Sequence, residues 1–184
     1  MPDAEFLLLG DALWLEFVNT AGRGRDTLPD PSAYHRWTKA VRVESAGDRD
    51  AFGDAILLRS RLNGLAAALT EKRAPPPSSV EAINRLLVAL EGREQLVRIG
   101  GRWRLQFGSA KPPSATQAVA QSAAQTLANP LAVVRRCANQ ECGLFFVDDS
   151  SSQSRRWCSR NRCGQRGRIE RRRSNRITPI VADE

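Results

Sequence analysis

The sequence predicts an α+β protein in two unequal parts. A mostly α-helical N-terminal domain with one β-hairpin is expected over residues 1–134, a small four-cysteine module over 135–178, and a short tail over 179–184. Three observations carry this reading. Apolar residues recur at three- and four-residue steps through most of the first 130 positions, the period of a helix with one buried face. Gly100-Gly101 interrupts two stretches of alternating residues, as a hairpin turn does. All four cysteines fall between Cys137 and Cys163.

In chain order, Asp11 stands where it would cap a short apolar segment, Ala12 to Asn19, with Trp14, Phe17 and Val18 on one face. Gly22 to Pro31 is loop by its Gly and Pro content. Ser32 is expected to open a helix that gathers Tyr34, Trp37 and Val41 on one side. The longest helical pattern runs from Asp48 to Lys72, with a stripe of Phe52, Ala55, Ile56, Leu62, Leu65 and Leu69. Ala74-Pro75-Pro76-Pro77 stops it. Ser78 and Glu81 have capping-box spacing ahead of Ile83, Leu86, Leu87 and Leu90. In Leu96 to Phe107, a three-residue loop would pair Ile99 with Trp103 and Val97 with Leu105, separating apolar side chains from arginine, so that register is expected. Ser114 and Gln117 form a second capping box, opening an Ala-rich helix that ends near Asn129, before Pro130. No linker separates Pro130 from Cys137, which predicts two modules in close contact.

The cysteines are spaced Cys137-x4-Cys142 and Cys158-x4-Cys163, with 15 residues between the pairs. Two matched pairs joined by a loop can wrap one tetrahedral ion, and four thiolates close its coordination shell. Thiolate suits Zn²⁺. The segment offers only Leu144, Phe145, Phe146, Val147 and Trp157 for a core, so one structural zinc ion would supply the folding energy that so few apolar residues lack. Disulfides and an iron–sulfur cluster are the rival uses of four cysteines.

Charge is uneven. The chain carries +8 overall, of which 12 basic and 6 acidic residues in 135–184 supply +6. Arg155, Arg156, Arg160, Arg162, Arg166, Arg168, Arg171, Arg172, Arg173 and Arg176 lie within 22 residues that hold one acid, Glu170. A helix over Gly167 to Asn175 would be ringed by like charge and would need an anion to settle it. Arginine pairs bidentately with phosphate and reads guanine edges. These ten residues are therefore the candidate nucleic-acid contacts, with double-stranded DNA as the expected partner; the bland alternative is a solvated basic tail. Trp157, beside Cys158, is expected to pack beneath the metal.

These residues resemble the zinc-ribbon-like module called the CGNR zinc finger. The shared pattern is C-x4-C-G-x2-F-x-D, from Cys137 to Asp148 through Gly143 and Phe146, then R-R-W-C-S from Arg155 to Ser159 and C-G-Q-R from Cys163 to Arg166. Gln165 stands where the family name has Asn. The N-terminal part is similar to the ABATE domain in LEFVNT (Leu15 to Thr20), in Trp37 after a Gly/Pro loop, and in LRSRLNGL (Leu58 to Leu65). The resemblance implies a stress-induced transcriptional regulator with DNA binding assigned to the finger.

Catalysis finds little support. His35 is the lone histidine, so any nucleophile–histidine pair would depend on it. Gly22-Arg23-Gly24-Arg25 lacks the Lys-Ser/Thr of a phosphate loop. The upstream domain is left with ligand sensing, homodimerisation, or both. Asn19, Arg59 and Asn63 are the polar residues in apolar context that would line a pocket for a small-molecule effector; the alternative is that Asn19 caps or turns the chain and Arg59 is an exposed helix residue. An RNA-binding or protein-interaction module, and a small-molecule enzyme with the finger as an appendage, are the competing readings. No apolar run approaches the ~20 residues of a membrane span. Acids stand where a secretory signal would be basic, so a cytoplasmic protein is expected.

Overall fold

A computed structural model of the protein describes residues 6–9, 11–22, 24–43 and 49–165. The five α-helices among these residues are α1 (Leu13–Asn19), α2 (Pro31–Ala40), α3 (Arg49–Thr70), α4 (Pro77–Val88) and α5 (Ala115–Ala128). Two antiparallel hairpins are β1 (Gly92–Ile99) with β2 (Arg102–Ser109), between α4 and α5, and β3 (Val133–Arg136) with β4 (Phe145–Asp148), after α5. A five-residue π-turn, Arg160–Gly164, follows.

The aromatic faces read from the periodicity meet in one core. Trp14, Phe17 and Val18 of α1 are buried with Tyr34 and Trp37 of α2 and with Ala55, Leu62 and Leu65 of α3. The Phe17 and Trp37 rings lie 4.9 Å apart, centroid to centroid. Val119, Ala120 and Ala123 bring α5 into the same core, where small side chains allow close approach to α1. Trp14 Nε1 donates to Thr126 Oγ1 at 2.9 Å, so its buried indole is also satisfied. No helix among the described residues is long and apolar enough to cross a membrane.

Helix starts divide into those that follow the side-chain signal and those that proline overrides. Ser114 accepts from the Gln117 amide at 3.3 Å and the Gln117 side chain returns to the Ser114 amide at 2.9 Å, the reciprocal box expected at α5. The Ser78–Glu81 box does not form. Pro77, with φ preset for a helix, starts α4 one residue before Ser78, which leaves Pro76 at the cap position and no side-chain cap. Ser79 donates instead to the Arg61 carbonyl at 2.9 Å, tying α4 to α3. Likewise α2 begins at Pro31, capped by Asp30 through the Ala33 amide at 2.8 Å, rather than at Ser32. Asp11 does not cap α1; Ala12 holds the cap position, and the Asp11 carboxylate is drawn to Arg155 of the C-terminal module at 3.0 Å.

The register of the first hairpin also differs from expectation. Ile99 faces Arg102 across a two-residue loop, with φ of 56° at Gly100 and 80° at Gly101. Those paired positive angles fit the tight turn whose twist matches the strands. Neither face of this hairpin is buried, so no core rewards the sorted register and turn chemistry decides.

β3 and β4 join the helical core directly. Val134 and Phe145 are buried with the residues of α1 and α3, and β3 packs along α3. Asn19 at the end of α1 clamps β4: its Nδ2 donates to the Phe145 carbonyl and its Oδ1 accepts from the Phe145 amide, both at 2.9 Å.

Candidate metal centre and the surface around it

The cysteine module is assembled from two turns. After β3 the chain passes Cys137, turns back at Asn139–Cys142, and re-enters β4 through Gly143, whose φ of 64° suits a residue without Cβ. The Cys137 amide donates to the Leu144 carbonyl at 2.8 Å and the Cys142 amide to the Asn139 carbonyl at 2.9 Å, which fixes the first pair on the end of the hairpin. Cys158 precedes the π-turn and Cys163 lies within it. Ser159 caps it through the Arg162 amide, and the Gly164 amide donates to the Ser159 carbonyl at 2.9 Å.

All four cysteines are buried, unpaired by disulfides, with their sulfurs within 4.8 Å of one another. Cys142 and Cys158 sulfurs are 3.5 Å apart, and Cys158 and Cys163 sulfurs 3.7 Å. Sulfurs on a tetrahedron with Zn–S of about 2.3 Å stand roughly 3.8 Å apart, so the spacing and the donor set fit one zinc ion. Burial pushes the Cys142 thiol up to about 11 and the Cys158 thiol higher still, because buried thiolates cannot accumulate without a counter-charge. A dication supplies that charge. Burial also raises Cys137, but the amides of Cys158 and Asn139 outweigh it and hold that thiol below its ordinary value. The Cys158 amide lies 3.5 Å from Cys137 Sγ, and Asn139 Nδ2 lies 3.8 Å from Cys163 Sγ, an outer layer of donors around the sulfurs. Leu144, Phe146 and Trp157 pack against the cluster, Trp157 as expected. The four sulfurs form a structural zinc site with no coordination position left open.

The family comparison agrees with both halves of this architecture. The model of the ABATE family, described as "Putative stress-induced transcription regulator", matches residues 11–130, and that of the CGNR zinc finger matches residues 134–176. The chain belongs to the ABATE family. Its finger is a CGNR zinc finger, and neither description is that of an enzyme. A comparison with curated proteins gives no match.

Within this ABATE chain the candidate nucleic-acid arginines fall into three groups. Arg166, Arg168, Arg171, Arg172, Arg173 and Arg176 lie outside the described residues. Arg156, Arg160 and Arg162 are exposed around the second cysteine pair and form no ion pair among the described residues. Arg155 has a different environment. It donates to both Asp11 oxygens, at 3.0 and 3.3 Å, and to the carbonyls of Val147, Trp157 and Cys158, at 3.1, 3.1 and 2.7 Å. Its guanidinium also lies 4.5 Å from the Phe146 ring centroid. That network ties the second cysteine pair to β4 and to the segment before α1.

Asp148 is the residue of the finger that sequence reasoning named in a motif without assigning it contacts. It is fully buried. Its carboxylate accepts from Arg135 Nε at 2.8 Å, the Arg155 amide at 3.0 Å, and the Ser150 hydroxyl at 2.6 Å. Burial raises its pKa, but these donors overcome that and hold it below the ordinary 3.8. The available signal was an acid buried in pattern between Phe146 and a run of serines, in a segment otherwise rich in arginine.

The polar residues proposed for a pocket are placed as follows. Arg59 is buried against Asp26, with contacts of 2.8 and 2.6 Å, and against Thr20 Oγ1 at 2.9 Å. Asn63 is exposed on α3. Asn19 lines a cavity of about 770 Å³ between the helical domain and the finger. Glu16, Thr20 and Trp37 line one side of it, and Leu144, Asn161 and Arg162 the other. Trp37 is fully buried and its indole N–H has no hydrogen-bond partner among the described residues. Gln165, at the end of the π-turn, also borders the cavity.

Proposed function

We propose that the protein is a cytoplasmic DNA-binding transcription regulator in which the zinc-ordered finger carries arginines to the phosphate backbone. The observation that supports this most is the placement of Arg156, Arg160 and Arg162. They are exposed and without acidic partners among the described residues, beside the second cysteine pair. The six further arginines at 166–176 extend the same charge. Phosphate contact of this kind gives affinity that falls steeply with salt. Arg155 is excluded from the contact set, because its donors already serve the fold.

The helical domain is the regulatory half, as an effector site, a dimer contact, or both. Its cavity has a volume in the ~300–1,000 Å³ range of small-molecule sites and touches Arg162 on the finger, so an occupant would bear on the DNA-binding surface. The reading is non-enzymatic: His35 is exposed on α2 and does not line that cavity, and four thiolates leave zinc no open position.

The test is a titration of double-stranded DNA and of single-stranded RNA of matched sequence over a series of salt concentrations. Tighter binding to the duplex with a steep salt slope is expected. Replacing Arg156, Arg160 and Arg162 together by Ala lowers that slope by up to about 2.7, at about 0.9 per phosphate contact. Equal affinity and slope in that variant, or preference for the RNA, would reject the reading. A thermal-shift screen of metabolites tests the cavity, with the expected stabilisation absent in Trp37→Phe.

A further inference from the structure

The β1–β2 hairpin has a surface that the fold leaves unexplained. Because opposed residues share a face, the observed register places Leu96, Leu105, Trp103 and Phe107 on one side together with Glu94 and Arg98. Leu96, Trp103 and Leu105 are 63%, 65% and 63% exposed. The other side carries Arg93, Arg102 and Arg104 with Gln95, Gln106, Val97 and Ile99. The first side carries the larger exposed apolar surface, and no core among the described residues faces it. A lone two-stranded hairpin is marginally stable in water, and a contiguous exposed apolar face marks an interaction site.

The arrangement of that face is self-complementary. Its three rows are Glu94/Phe107, Leu96/Leu105 and Arg98/Trp103. A two-fold axis lying in the face and running across the strands at the central row superposes each strand on its own copy, in reverse direction. Glu94 then meets Arg98 of the second copy, Phe107 meets Trp103, and leucine meets leucine in the middle. Within one chain, Glu94 and Arg98 lie about 13 Å apart along the strand, too far to pair. We infer that this face is the contact between two copies of the chain, packed hairpin on hairpin as an isologous dimer. The inference rests on the helical domain's being the regulatory half, and it names where that half dimerises. The hairpin leaves the body before α5 and the finger follows the end of α5, a helix about 21 Å long. The two fingers would stand at the outer ends of the dimer, suited to a DNA site with two half-sites.

Sedimentation equilibrium of the full-length, zinc-loaded chain tests this. The expected result is a particle of twice the chain mass. Leu105→Glu is expected to be monomeric with unchanged zinc content and circular dichroism. Glu94→Arg and Arg98→Glu each weaken the dimer about tenfold, and the double exchange restores it, since opposite charges meet again across the axis. A monomer at every concentration, or a dimer indifferent to Leu105→Glu and to the charge exchanges, would overturn the proposal. Duplex-DNA binding in the same preparations separates the two readings. A monomeric wild type that binds DNA with a steep salt slope defeats the dimer alone; a hairpin dimer without DNA affinity defeats only the regulator reading.

Discussion

Of the two antiparallel hairpins among the described residues, the shorter one does the structural work. β3 and β4 are four residues each, yet Val134, Phe145, Phe146 and Asp148 are buried, Asn19 clamps β4, and the turn between the strands carries two of the four cysteines. β1 and β2 are eight residues each and bury none of their side chains. The long hairpin is held by its ladder and its Gly-Gly turn. The short one is held by a metal site, a buried carboxylate and the shared core. Strand length therefore says little about which sheet the fold depends on; the number of independent constraints on each strand says more.

That contrast can be broken most severely at the metal. Cys142→Ser removes a ligand from a site whose ion contributes on the order of 10–16 kcal/mol in small modules. Elemental analysis should show zinc falling from one per chain to none, with loss of DNA binding and a helical core that still melts cooperatively. The next largest effect is expected at Asp148. Asp148→Ala removes the acceptor of Arg135, of the Ser150 hydroxyl and of the Arg155 amide, and should cost about 2–4 kcal/mol in a urea titration, the loss of several charge-assisted hydrogen bonds. The wild-type carboxyl also predicts a pH signature. Its folded pKa lies below 3.8, so its contribution is complete above the unfolded value and is lost as pH falls through the folded one. The stability difference between wild type and Asp148→Asn should be constant near neutral pH and shrink below about pH 4. Asn19→Ala, which leaves the Phe145 amide and carbonyl unpaired at the junction of the two parts, should cost about 1–3 kcal/mol. The smallest effect is expected on the long hairpin: Trp103→Ala should change monomer stability by no more than about 0.5 kcal/mol, measured at concentrations where the chain is monomeric.

Legibility in the sequence followed the same division. Helical periodicity found the α3 stripe and the aromatic faces of α1 and α2, because each face meets a dense core that rewards the pattern. The cysteine spacing led to the metal site, since four soft donors in matched pairs have few other uses. The misreadings arose where a local signal met a competitor invisible in the local window. At α4, Pro77 set the helix start before Ser78 could cap it. At Asp11, a guanidinium 144 residues further along the chain took the carboxylate from its expected cap. In the long hairpin, the register that sorts polar from apolar residues lost to the turn geometry of Gly100-Gly101, as it must where no face is buried. Arg155 could not be told from its neighbours by sequence, because its distinction lies in five acceptors brought together by the fold.

The central claim is that the sulfur-bound ion gives the arginine surface its shape. The most direct measurement is the affinity of the full-length protein for duplex DNA before and after zinc removal by a chelator, repeated after zinc is restored, at fixed salt. The account predicts that affinity and salt slope collapse together on removal and return with one zinc per chain. Unchanged affinity and slope in metal-free protein would contradict it, since the charge alone, without the fold around it, would then suffice.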